Sequence, residues 1–175
     1  MDGCPKLRAF SLQADKSKLT NFKSFGKLKE LEFFQMNISN AVIDDDTVIH
    51  WLTQWKEVKV IYLSGRHITD KTLEAMASIG CKLEIFDMLN WCGITDQGLE
   101  HLAKIKTISK IRMHYPHNFI SVTANGIVKL AKHLIKLEEL SVTVHSKHPL
   151  KIQMEEISSR WKGECPIRVY TIMPI

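Results

Sequence analysis

Long apolar runs are missing from this chain of 175 residues. No stretch reaches the roughly 18 consecutive apolar residues of a membrane-crossing helix. No membrane partner is therefore expected. Met1-Asp-Gly-Cys4-Pro5 is not followed by the apolar core of a secretory leader. Glycine is sparse, at eight residues, and no Gly-rich loop of the phosphate-cradling kind occurs. Neither a G-x-S-x-G elbow nor a paired-carboxylate motif in context is present. The expectation is a non-enzyme with no cofactor, no metal and no catalytic residue. Cysteine is also scarce. Cys4, Cys81, Cys92 and Cys165 are too scattered for the cystine-rich cap of an extracellular protein, which points to a reduced intracellular setting, cytoplasmic or nuclear. No linker or low-complexity tract divides the chain. Charge of one sign does not dominate: 24 Lys and Arg face 19 Asp and Glu, a net charge of +5. The two signs are interleaved, so the pI of about 9.0 does not come from one basic stripe. That argues against a nucleic-acid partner.

What the chain does contain is a repeat. Hydrophobic residues make up 45%, and they recur in a fixed order. Val58, Ile61 and Leu63 are followed by Ile68-Thr69-Asp70, then Leu73, Met76 and Ile79. Leu83, Phe86 and Met88 are followed by Ile94-Thr95-Asp96, then Gly98-Leu99, Leu102 and Ile105. The two copies lie 25 residues apart. Apolar positions 4 and 6 share one face of a short strand. Thr69 and Asp70 suit a helix start, and Leu73, Met76 and Ala77 suit a helical period. One strand and one helix cannot bury their apolar faces alone. Stacked on neighbours they form a continuous core, so the expected fold is an α/β solenoid.

Further copies flank this pair. Leu7, Phe10 and Leu12 repeat the pattern, with Leu19, Phe22 and Phe25 returning as a helix or arm. Leu28, Leu31 and Phe33 are read as the next unit, followed by a helix through Val48, Ile49, Leu52 and Trp55. Then come Ile108, Ile111 and Met113, with a helix from Thr123 to Leu134. Leu137, Leu140 and Val142 open another unit, with a helix near Met154, Ile157 and Trp161. Ile167, Tyr170 and Ile172 close the series. The leading positions are thus 7, 28, 58, 83, 108, 137 and 167. Pro116 marks a loop in one long connector. Residues 1–175 read as a single repeat domain of six to seven units. The expectation is that it forms part of a longer array, because no polar end cap precedes Leu7.

The segment Leu83-x-x-Phe86-x-Met88-x-x-Trp91-Cys92-Gly-Ile94-Thr95-Asp96-x-Gly98-Leu99-x-x-Leu102-Ala103 resembles the cysteine-containing leucine-rich repeat. That subtype is typical of F-box/leucine-rich-repeat proteins, the substrate-recognition subunits of cullin-RING ubiquitin ligases. Trp91 stands where that pattern has its cysteine, and Cys92 follows one place later. The resemblance implies a right-handed solenoid with a parallel concave sheet and convex helices. It implies substrate recognition in a ubiquitin ligase complex, with cullin-RING components as partners only where an F-box lies upstream. A similar short array occurs in mitochondrial assembly proteins related to ATP synthase coupling factor B. A scaffold or assembly role, with mitochondrial placement, is therefore the first alternative, and a nucleic-acid-associated module ranks below it.

Period 2 along each strand turns positions 3, 5 and 7 away from the core. This places Phe34, Val60, Tyr62, Ile85, Asp87 and Leu89 on the concave face, with Lys110, Arg112 and His114 beside them. An apolar and aromatic patch with a charged rim suits a protein partner. Other clusters read as structural. Cys4, Cys81 and Cys165 recur at matching places in distant units and cannot converge on one zinc ion. Asp44-Asp45-Asp46 suits the start of a helix. His145-Ser-Lys-His148 reads as a solvated loop, and Trp51 with Trp55 reads as core.

Overall fold

The computed structural model describes residues 4, 6–14, 22–38, 42–91, 93–115, 121–146, 148–161, 163 and 165–172. Leu19, Cys92 and Pro116 lie outside them. Seven strands form one sheet: β1 (Ala9–Ala14), β2 (Phe33–Ile38), β3 (Val60–Ser64), β4 (Ile85–Leu89), β5 (Lys110–Tyr115), β6 (Glu139–His145) and β7 (Ile167–Ile172). They pair in sequence order, and every pairing is parallel. Among the described residues five helices run between them: α1 (Asp45–Gln54), α2 (Asp70–Ile79), α3 (Asp96–Leu102), α4 (Ala124–His133) and α5 (Pro149–Arg160). A short 3₁₀ helix, Phe22–Lys27, takes the helical place between β1 and β2. This is the expected leucine-rich-repeat solenoid.

The core follows from the repeat. Phe34, Ile61, Phe86, Ile111 and Leu140 pair across successive strands, as do Met36, Leu63, Met88, Met113 and Val142. All ten side chains are buried. Each such side chain removed from water contributes about 1.5–3 kcal/mol. Strand starts are set by the carbonyl at position 2. Glu32 O accepts from the amides of Lys59 and Val60, Lys59 O from Glu84 and Ile85, and Glu84 O from Ser109 and Lys110.

Two units differ from the sequence reading. Ala9 pairs with Phe33 and Phe33 with Val60, so Leu31, not Leu28, leads the second unit. Phe34 therefore occupies inward position 4, and it is fully buried rather than solvent-facing. The physical reason is the aromatic cluster beneath it. Phe34 packs on Phe10, Phe25, Trp51 and Trp55, with ring centroids 4.7–5.9 Å apart. Phe33 takes the outward place instead. At the other end Leu140 pairs with Ile167, so Ile167 stands at position 4 and not at position 1.

The helix starts are tied from unit to unit. Thr69, Thr95 and Thr123 each cap the helix that follows, accepting an amide hydrogen bond from Lys71, Gln97 and Gly126 respectively. The Asp at the first helical position serves the next unit. Asp45 accepts from Thr69 N and Oγ1 at 2.9 and 2.7 Å. Asp70 accepts from Thr95 N and Oγ1 at 2.8 and 2.5 Å, and Asp96 from Thr123 at 2.8 and 2.6 Å. At this place α4 carries Ala124, so the series of clamps ends there. The groove between α4 and α5 encloses about 980 Å³, between Val128, Ile135, Ile157 and Trp161 among others.

Candidate interaction face

The outward residues form three rows across the strands. Position 3 gives Ala9, Phe33, Val60, Ile85, Lys110 and Glu139. Position 5 gives Ser11, Gln35, Tyr62, Asp87, Arg112, Ser141 and Arg168. Position 7 gives Ser64, Leu89, His114, Thr143 and Tyr170 on β3 to β7. Val60, Tyr62, Ile85, Asp87, Leu89, Lys110, Arg112 and His114 are all partly exposed and share this face, as the sequence predicts. Phe34 is the exception, and Phe33 replaces it. The Phe33 and Tyr62 rings sit 5.7 Å apart, tilted by 48°.

Electrostatics divide the face along the sheet. From β2 to β4 the outward residues include Phe33, Val60, Tyr62, Ile85 and Leu89, with Gln35, Asn37, Ser64 and Asp87 as the polar members. From β5 to β7 they carry Lys110, Arg112, His114 and Arg168. Among the described residues of the outward rows, two ion pairs cross between strands. Asp87 Oδ1 lies 3.4 Å from His114 Nε2, a pair when the imidazole is protonated. Arg112 Nε donates to Glu139 Oε1 at 3.1 Å. That bond raises the Arg112 pKa and holds the Glu139 carboxyl below its ordinary value. The Arg112 side chain remains 39% exposed. Lys110 and Arg168 have no ion-pair partner within 4 Å among the described residues.

The remaining clusters have structural roles. Asp44 caps α1 by accepting from Thr47 N at 2.9 Å, and hydrogen bonding to the Thr47 side chain, with that amide second, lowers its pKa. Asp45 clamps Thr69, and Asp46 pairs with Lys71 at 2.8 Å. The three carboxylates thus point to three partners rather than to one ion. His148, expected in a solvated loop, is buried and caps α5, its Nδ1 accepting from Leu150 N at 3.1 Å. Trp51 and Trp55 are stacked in the core at 5.4 Å. Trp91 is fully buried, and its indole N–H donates to Leu63 O at 2.8 Å. Cys4, Cys81 and Cys165 form no disulfide. Burial pushes the Cys81 and Cys165 thiols up, toward the unreactive neutral form. Among the described residues no His, Cys, Asp or Glu cluster has the makings of a metal site. No helix there is long and apolar enough to cross a membrane.

No family model matches the chain, and no curated protein matches it. Among solved structures it is similar to a chain in the crystal structure of the Rad7 and Elc1 complex in yeast. The TM-score is 0.56 at 15% sequence identity. The match covers 81% of this chain and 44% of that one, so this chain spans less than half of its neighbour's length. At that identity the likeness shows a shared fold.

Proposed function

We propose that this chain is a protein-recognition module, serving as the substrate-binding repeat domain of an F-box-type ubiquitin ligase subunit. It acts by binding, not by catalysis. The observation that carries the reading is the set of partly exposed Phe33, Val60, Tyr62, Ile85 and Leu89 on one sheet face, bordered by Lys110 and Arg112. Aromatic and Arg anchors of this kind supply most of the binding energy at protein interfaces. Two further points support it. The repeat resembles that of F-box/leucine-rich-repeat proteins, and the solved neighbour comes from a complex of two proteins. Cullin-RING components are partners where an F-box is joined upstream.

The test is affinity capture of the full-length endogenous protein, with mass spectrometry of what it retains. A cullin and its adaptor are the expected companions, together with candidate substrates. Their absence, with one discrete stable partner in their place, assigns the chain to the scaffold class instead. Tyr62→Ala combined with Phe33→Ala should abolish capture of the substrate and leave the fold intact. Leu63→Ala, one residue along but buried, should instead cost about 2–5 kcal/mol in chemical denaturation.

A further inference from the structure

We infer that the partner segment is itself polarised: an aromatic or aliphatic anchor followed along the chain by carboxylates, laid across the strands. The inference rests on reading this face as the recognition surface. It adds the chemistry and spacing of what binds there.

The argument is one of charge and distance. Phe33, Val60, Tyr62, Ile85 and Leu89 put the apolar half over β2, β3 and β4. Lys110, Arg112 and Arg168 put three permanent cations over β5 and β7, and on β5 to β7 only Glu139 opposes them in the outward rows. Glu139 is already held by Arg112 at 3.1 Å. Asp87 is drawn toward His114 at 3.4 Å. Among the described residues Lys110 and Arg168 have no carboxylate of their own within 4 Å and share the field of Glu139 with Arg112, so three cations face one carboxylate beside an apolar surface, where an arriving carboxylate is screened less than in bulk water. A basic partner would meet the same charges with repulsion.

The ladder fixes the spacing. Neighbouring strands lie about 4.8 Å apart, and an extended chain rises about 3.3 Å per residue. Tyr62 on β3 is two strands from Arg112 and four from Arg168, or about 10 and 19 Å. A segment anchored at Tyr62 thus brings carboxylates to the cations about three to six residues along.

A random 12-residue phage library panned on the full chain tests this. Enriched peptides are then synthesised and titrated by fluorescence polarisation. The expected motif is an aromatic or Leu with Asp or Glu three to six positions away. Lys110→Glu with Arg168→Glu should weaken these peptides at least about tenfold, and so should raising the salt on the unaltered chain. Phe33→Ala with Tyr62→Ala should remove them. Enriched peptides without acidic bias that still depend on Phe33 and Tyr62 would overturn the polarity and leave the recognition face standing. Peptides indifferent to both variants, or no enrichment at all, would overturn both readings.

Discussion

Arg112 and Glu139 show how much one residue pair can report. The hydrogen bond from Arg112 lowers the Glu139 pKa. A carboxyl with a lowered folded-state pKa contributes stability that is present above its unfolded pKa. That stability is lost as pH falls through the folded value. The loss therefore begins in the ordinary carboxylate range, near pH 4–5, and is complete below the depressed value. Arg112→Ala should return Glu139 toward its ordinary pKa and flatten this part of the stability profile. Carbon-detected NMR titration of the Glu139 carboxyl measures it directly, and an unmoved titration would show that the pair carries no linkage. Residue roles of this kind were only partly legible in the sequence. The run Asp44-Asp45-Asp46 announced a helix start, but nothing local distinguished the cap from the clamp. That distinction depends on Thr69, one unit further on. Trp91 stood in the cysteine place of the repeat, yet its partner, Leu63 O, lies 28 residues earlier.

At the level of the element, the helix starts hold the clearest design. Gly98 and Gly126 sit three residues after Thr95 and Thr123. A side chain at either would overlap the carboxylate arriving from the preceding unit, Asp70 or Asp96. Thr72 fills the equivalent place in α2 and turns its hydroxyl to Asp45 at 2.5 Å. Gly80 ends α2 with φ +73°, a left-handed cap that glycine adopts without strain. Gly98→Ala should displace the Asp70 carboxylate and destabilise the chain by about 1–3 kcal/mol, despite alanine's better helix propensity. Combined with Asp70→Ala the two losses should be less than additive in a double-mutant cycle, because both break one clamp. Strict additivity in urea denaturation would reject the clamp as their common cause. Strand registers were legible wherever one apolar set alone fitted positions 1, 4 and 6, as in β3 to β6. The second unit offered two sets, Leu28-Leu31-Phe33 and Leu31-Phe34-Met36. Composition could not choose between them. The Phe10–Phe25–Trp51–Trp55 cluster made the choice, since it needs a ring at Phe34. One sequence signal did favour the observed register. Arg8, Glu32 and Lys59 alternate in sign at position 2, and Glu32 pairs with both of its neighbours.

Across the whole molecule, each unit touches mainly its neighbours, so stability is a sum of unit and junction terms. The Asp–Thr clamp and a short bridge next to it recur at three successive junctions, through α4. The α4–α5 junction carries Ala124 in place of the Asp, while β5 and β6 stay fully paired. Native-state hydrogen exchange should therefore show α5 and β7 opening at a lower free energy than α1 to α4. Equal protection throughout would mean that the clamps add nothing to cooperativity. The solenoid and its open face were legible in the periodicity, but this weak junction was not. It shows only once the clamp is known and Ala124 is seen to lack it.

That junction has a mechanical consequence. With the strands joined and no Asp–Thr clamp between α4 and α5, the last unit is expected to turn about the β5–β6 ladder like a leaf on a pin. Lys110 and Arg112 lie on the clamped side of that ladder, and Arg168 and Tyr170 lie on the leaf. A ligand that grips both must fix the angle between them. Its arrival should then be recorded on the far side of the molecule, as slowed amide exchange in α5, a helix the ligand does not touch.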